Sequence, residues 1–315
     1  MNPNVVILRA FAIFLIVFGH SIILYSSWDI MPTTIDSPVL CFIKERIINP
    51  FQLNIFFAIS GYLFYITLQN GQSNWHICRR KIVRLMIPYF LIAFLWMNPI
   101  KILLGIPGYS SCDEIRTTIC EQFLMKGNGH LWYLPTLMTI FLFGLFVYKH
   151  VHNSFHALLV FIGSLILQKY HGLHIFAFEP LNNFGYFLFP FTIGFIVHYI
   201  NCTIPRKVSI PSLSITFLGG AILPKYHLLF MLLFIVLALK SSVLYKGKIN
   251  KIIDGISKNS YGIYLLHSPL IYITFKYFAN SSPLYVVTLN LIFGVVAYVM
   301  TDLIRRTNLR FIIGE

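Results

Sequence analysis

Long apolar stretches broken by short polar ones run through the whole chain, at 5–26, 50–69, 82–104, 130–149, 155–170, 183–200, 209–223, 226–245, 259–278 and 284–304. Crossing the hydrocarbon core of a bilayer takes about 20 mostly apolar residues in a helix, because lipid offers no partner to a free backbone amide or carbonyl. Ten such stretches predict an all-α fold, a polytopic transmembrane helical bundle of about ten spans. The fifth and seventh are short, which marks them as tilted, broken or re-entrant. Spans and loops together use nearly all of residues 1–315, so the chain reads as one transmembrane domain, with no stretch left to bury a separate soluble core.

Loop charge tests the alternation. With the N-terminus in the cytoplasm, the inner loops and span ends collect sixteen Lys and Arg residues and the outer ones eight, while seven of the ten acidic residues fall outside. That asymmetry is the one that orients membrane proteins, and it predicts that both termini are cytoplasmic. An odd number of spans before residues 240–258 would put the five lysines of that region on the wrong side.

Composition agrees. Apolar residues make up 57% of the chain and charged ones only 11%, with a mean hydropathy of +0.75, whereas soluble domains carry about 25% charged residues. A net charge of +14 would suggest nucleic acid in a soluble protein; here the charge sits at the ends of apolar runs, which leaves no nucleic-acid partner to expect. Arg9 precedes the first run and no small-residue cleavage site follows it, so that run reads as an uncleaved span. The five cysteines show neither C-x-x-C nor Cys/His spacing, and no metal is expected. Cys112 and Cys120 share one outer loop and are either a pair formed in an oxidising compartment or two separate thiols. Cys41, Cys78 and Cys202 read as packing residues.

Ionisable residues inside spans are costly and so are functional candidates. Arg9 and His20 lie eleven residues apart on the first span, about 16 Å along the axis and close to three turns, hence on nearly one face at different depths. A snorkelling arginine and a core histidine bonded to a neighbour explain the pair without chemistry. His130 opens the fourth span at its outer edge, level with His20, beside Trp132 and Tyr133, which also suit an interfacial aromatic belt. Asn54, Ser60 and Gly61 lie in the second span, where small residues let helices approach closely. His267 lies in the ninth, followed by Pro269; a kinked helix with a satisfied histidine accounts for it as well as an active site does. Arg79, Arg80, Lys81 and Arg84 form a basic collar at the cytoplasmic face. It is either a topology determinant in contact with lipid phosphate or a docking site for a phosphate-rich ligand.

Taken together these segments resemble acyltransferase family 3, integral-membrane O-acyltransferases. Arg9 and His20, with ten residues between them, resemble its R-x10-H signature. IFFAISGYLF resembles the FF-x-x-SG motif, and Lys81 to Arg84 with Leu85 and Pro88 resembles R-x-x-R-L-x-x-P, with Lys in the first place. HLWYLP resembles H-L-W-[FY]-L, and SKNSYGIYLLHSPL resembles S-x-x-S-Y-x-I-Y-L-x-H. The five run in order from Arg9 to about Leu270. One position departs: many relatives carry an acid three residues before the arginine, and Val6 stands there. The resemblance implies transfer of an acyl group, usually acetyl, from cytoplasmic acetyl-CoA to a hydroxyl of a carbohydrate at the outer face of a bacterial inner membrane. It implies His20 as general base or acyl carrier, Arg9 holding the donor or stabilising negative charge, and His130, Trp132, Asn54 and Ser60 on the acceptor side. Arg79, Arg80, Lys81 and Arg84 would bind coenzyme A. Some relatives add a soluble esterase-like domain, and none is expected here; enzymes of this size resemble those that decorate O-antigen, capsule or related surface glycans. A transporter or flippase of a lipid-linked sugar or small anion, using the same Arg and His residues, is the competing reading. A membrane subunit without chemistry is the third.

Overall fold

The computed structural model describes residues 2–27, 33–170, 176–200, 210–240 and 250–315; within those residues the ten apolar stretches fall on helices, and no strand occurs. Cys202, Arg206, Lys207, Lys246 and Lys248 lie outside them. The helices are α1 (Pro3–Ser21), α2 (Pro38–Gln69), α3 (Asn74–Leu103), α4 (Cys112–Glu121), α5 (Gly129–His150), α6 (Ser154–Lys169), α7 (Glu179–Tyr199), α8 (Ile210–Ile222), α9 (Pro224–Lys240), α10 (Lys251–Phe278) and α11 (Pro283–Arg305).

Six of them, α1, α2, α3, α5, α7 and α11, are long and apolar enough to cross a membrane. The two stretches expected to be short are so: α6 has 16 residues and α8 has 13. α8 and α9 form a broken pair bent by 113°. The break falls where Pro224 follows Leu223, since proline lacks the amide that would carry the helix on. α10 has 28 residues, ample length, but its polar side chains lower its hydropathy. Those side chains turn inward, with Ser257, Asn259, Ser260, His267 and Thr274 all buried. Polarity in this helix therefore marks the interior of the bundle rather than its exit from lipid.

Two helices run further than their apolar windows. α2 starts at Pro38 and passes through a π-helical stretch at Ile43–Ile48. α3 starts at Asn74, where the Ser73 hydroxyl caps it by accepting from the His76 amide. The basic collar is thus a helical turn, not a loop, and its members point different ways. Lys81 and Arg84, three apart, are neighbours on the helix surface and line one cavity; Arg80, four before Arg84, does not line it, nor does Arg79.

α2 and α7 pack most closely. A Cβ on Gly61 would fall on the Phe191 carbonyl, and one on Gly194 would fall on the Ala58 carbonyl. Backbone meets backbone there, as at the small-residue crossings of membrane helices. Around this contact the main core gathers Ile13 of α1, Phe57 of α2, Leu134 of α5, Phe191 of α7 and Leu265 of α10. A second core joins α1, α2 and α7 to the bent α8/α9 pair through Leu8, Ile55, Ile193 and Phe234. Cys112 and Cys120 lie on one helix, eight residues or about 12 Å apart along its axis, beyond the reach of a disulfide; both are free, as are Cys41 and Cys78.

Candidate active site

α1 delivers Arg9 and His20 from one face into two cavities that lie on either side of the α5/α10 contact. His20 comes in the last turn of α1. Its Nδ1 is 2.7 Å from Nε2 of His267, and the two rings lie edge to edge, within 19° of parallel, with centroids 5.0 Å apart. His267, fully buried on α10, places its own Nδ1 2.7 Å from the Ile263 carbonyl one turn back. His130 approaches from the 3₁₀ turn that opens α5, with its ring centroid 6.1 Å from that of His20 and 5.6 Å from that of His267. Neither ring nitrogen of His130 meets a partner in hydrogen-bond geometry. Its carbonyl accepts the Tyr264 hydroxyl. These three histidines come from α1, α5 and α10, and only the first two of them face a cavity of about 340 Å³, with Gln52, Trp132, Tyr264, Ser268 and Tyr272 among its other lining residues.

The turn carrying His130 is shaped by glycine. Gly127 (φ 78°) and Gly129 (φ 53°) are both left-handed, a conformation that side chains oppose. A buried polar cluster holds the turn. Lys101 Nζ donates to Asn128 Oδ1 at 3.3 Å and lies against the rings of Tyr109 and Tyr272, 5.4 and 5.1 Å from their centroids. Asn128 in turn donates to Asn98 at 2.8 Å, and the Tyr109 hydroxyl donates to the same oxygen at 3.0 Å. Burial pushes the Tyr109 hydroxyl above the usual phenol range, with its bond to Gln122 pulling the other way.

The second cavity, about 260 Å³, is basic. Arg9, Lys81, Arg84 and Lys258 line it together with Ser60, Tyr133, Tyr261 and Glu315. Lys81 Nζ sits 3.8 Å from the centre of the Phe141 ring. Arg84 Nε donates to the Gly314 carbonyl at 3.1 Å, and Tyr261 donates to the Arg84 carbonyl at 3.0 Å. Glu315 is engaged by Arg305 of α11. Val6, three residues before Arg9, is buried and apolar, and no carboxylate among the described residues forms an ion pair with Arg9, Lys81 or Arg84. The two cavities nearly touch. Trp132 lines one and Tyr133 the other; Tyr264 lines one and Tyr261, a turn away, the other. The Tyr133 and Tyr264 rings, 5.4 Å apart, form the partition between them.

The residues singled out from sequence therefore separate into three sets. His20, His130 and Trp132 meet at the first cavity; Arg9, Ser60, Lys81 and Arg84 meet at the second. Arg79, Arg80 and Asn54 line neither: Asn54 donates to the Pro50 carbonyl at 2.8 Å and also contacts Tyr186. Sequence reading counted Lys101 and Lys258 only as loop charges, and left Tyr264 without a role. The signal that could have found Tyr264 is its place three residues before His267 in the SKNSYGIYLLHSPL segment. No group of three or more His, Cys, Asp or Glu side chains among the described residues is spaced to hold a metal ion.

The chain matches no curated protein and no solved structure. A family model described as an acyltransferase domain matches residues 2–303, nearly the full length and all five motif segments. This chain belongs to acyltransferase family 3 and is a multi-pass membrane acyltransferase.

Proposed function

We propose that this protein is an O-acetyltransferase of a bacterial inner membrane, moving an acetyl group from acetyl-CoA to a hydroxyl of a surface glycan or its lipid-linked precursor. The observation that carries the reading is the pairing of a basic cavity with a histidine-lined one along a single face of α1. In this reading the bundle crosses the membrane ten times with both termini cytoplasmic, and α8 and α9 are two arms of a bent hairpin. The basic cavity then opens to the cytoplasm, where Arg9, Lys81, Arg84 and Lys258 neutralise the phosphates of coenzyme A; a guanidinium fork suits phosphate oxygens and an ammonium serves as a point charge.

Arg9 lies about 16 Å along the axis from His20. It therefore holds the donor and is too far away to stabilise an oxyanion formed at the histidines. The acceptor sugar enters the outer cavity, where Trp132 and Tyr272 offer flat faces to a sugar ring and His130 and Gln52 offer polar edges. His20 takes the proton from the acceptor hydroxyl as its oxygen bonds to the acetyl carbonyl carbon. The carbon–sulfur bond breaks, its electron pair leaves with sulfur, and the proton passes from His20 to the thiolate. General-base catalysis of this kind contributes about 10²–10⁴-fold.

The test is transfer of labelled acetyl from acetyl-CoA to glycan by purified protein in nanodiscs. His20→Ala should abolish transfer and leave expression intact, and an active variant would remove His20 from the mechanism. In cells, deletion of the gene should strip base-labile acetyl groups from an otherwise complete polymer. Loss of the polymer itself would favour the flippase.

A further inference from the structure

We infer that His267 is a positioning residue, which holds His20 in the tautomer that presents a bare Nε2 to the acceptor hydroxyl. The inference rests on the acetyl-transfer reading above and adds a residue to it. A backbone carbonyl only accepts hydrogen bonds. The 2.7 Å contact between His267 Nδ1 and the Ile263 carbonyl therefore puts a proton on that nitrogen. A neutral His267 then has no proton on Nε2, which becomes an acceptor. The 2.7 Å contact from His20 Nδ1 to that nitrogen requires His20 to donate, so the proton of neutral His20 sits on Nδ1 and its Nε2 carries a lone pair. One carbonyl at the start of this chain of bonds thus decides, through His267, the protonation of a ring on another helix, 247 residues from His267 in sequence.

The anchor is stiff. His267 is fully buried. The next carbonyl but two, that of Leu266, is held from α3 by the Trp96 indole N–H at 3.1 Å. Pro269, lacking an amide, leaves the Leu265 carbonyl without its helical partner, and this carbonyl faces the His130 ring. Hydrolases commonly assign the orienting task to a carboxylate. Here no acidic side chain among the described residues pairs with either histidine, and a neutral imidazole whose own proton is committed to the backbone performs it. When His20 accepts the hydroxyl proton on Nε2, Nδ1–H still donates to His267, so the bond persists through the transfer and the imidazolium keeps its partner.

The test compares two substitutions in the full-length protein. His267→Gln keeps an acceptor, its amide oxygen, for the Nδ1 proton of His20; His267→Phe keeps the bulk and removes the acceptor. The expected result is a kcat loss of about 10²–10⁴-fold in His267→Phe, with KM for donor and acceptor unchanged, and substantial rescue in His267→Gln. Nitrogen NMR of histidine-labelled wild-type protein provides a measurement that needs no variant: His20 should show protonated Nδ1 and unprotonated Nε2. A His267→Phe enzyme with wild-type kcat, a His267→Gln enzyme as inactive as His267→Phe, or a protonated Nε2 on His20 would each overturn the inference. If His20→Ala is dead while His267→Phe is active, this inference alone fails; if His20→Ala is active, the acetyl-transfer reading fails with it.

Discussion

Lys101 shows how little a residue's type reveals until its neighbours are known. In sequence it is one of eight cations assigned to the outer side. In the fold it is a buried ammonium whose one side-chain acceptor is Asn128, wedged between two tyrosine rings. A buried donor left without an acceptor costs about 1–3 kcal/mol, and more when charged. Asn128→Ala should therefore destabilise by at least that much, because the charge stays and its acceptor goes. Lys101→Met should cost less, since the charge goes with the side chain and methionine fills the space between the rings. Thermal unfolding in detergent ranks the two, and a larger loss for Lys101→Met would refute the clamp. The same dependence on context explains Asn54: its amide bonds the carbonyl four residues back, a local bond that no spacing in the sequence announces. Arg79 and Arg80 are indistinguishable from Lys81 and Arg84 by charge, and only the fold shows that the latter two line the basic cavity.

At the scale of elements, the helices were legible because lipid imposes one secondary structure and one length, and the Arg9–His20 face followed from 3.6 residues per turn. Pairings were not. Gly61 stood out in FFAISG, yet nothing in NNFGYFLFPFTIGF marks Gly194 as its partner, since packing partners carry no shared local signal. α10 was the hardest to recognise as fully helical from Lys251, because its buried Ser, Asn and His residues mimic a loop in any hydropathy window. The crossing of α2 and α7 makes a sharp forecast. Gly61→Ala and Gly194→Ala each place a methyl group onto a partner carbonyl, and overpacking of that kind costs about 1–3 kcal/mol or more. Gly163→Ala on α6 meets nothing within 4 Å and should leave stability unchanged or raise it by up to about 1 kcal/mol, the helix preference of alanine over glycine. Melting temperatures of the three variants decide it: an equal gain in all three would mean that helix propensity, not backbone contact, sets the outcome.

Across the whole molecule, two cavities lie along one face of α1, and the proposed division of donor and acceptor between them has a kinetic signature. If donor and acceptor occupy separate cavities, their Michaelis constants respond to different residues. Arg9→Lys keeps the charge and loses the fork, while Lys81→Met removes a charge that no carboxylate among the described residues balances. A hydrogen bond to a charged group is worth about 1.5–3 kcal/mol, and each 1.4 kcal/mol is tenfold. Either change should raise the donor KM on the order of 10–100-fold, leave the acceptor KM alone, and act more strongly at low salt, where phosphate attraction is least screened. Trp132→Ala, on the far side of the Tyr133–Tyr264 partition, should do the reverse, with a raised acceptor KM and an unchanged donor KM at any ionic strength. Varying one substrate at a time in nanodiscs measures both constants for each variant. A shared cavity would make both constants rise together in every variant, and the partition seen here would then be a closed state of one site rather than a wall between two.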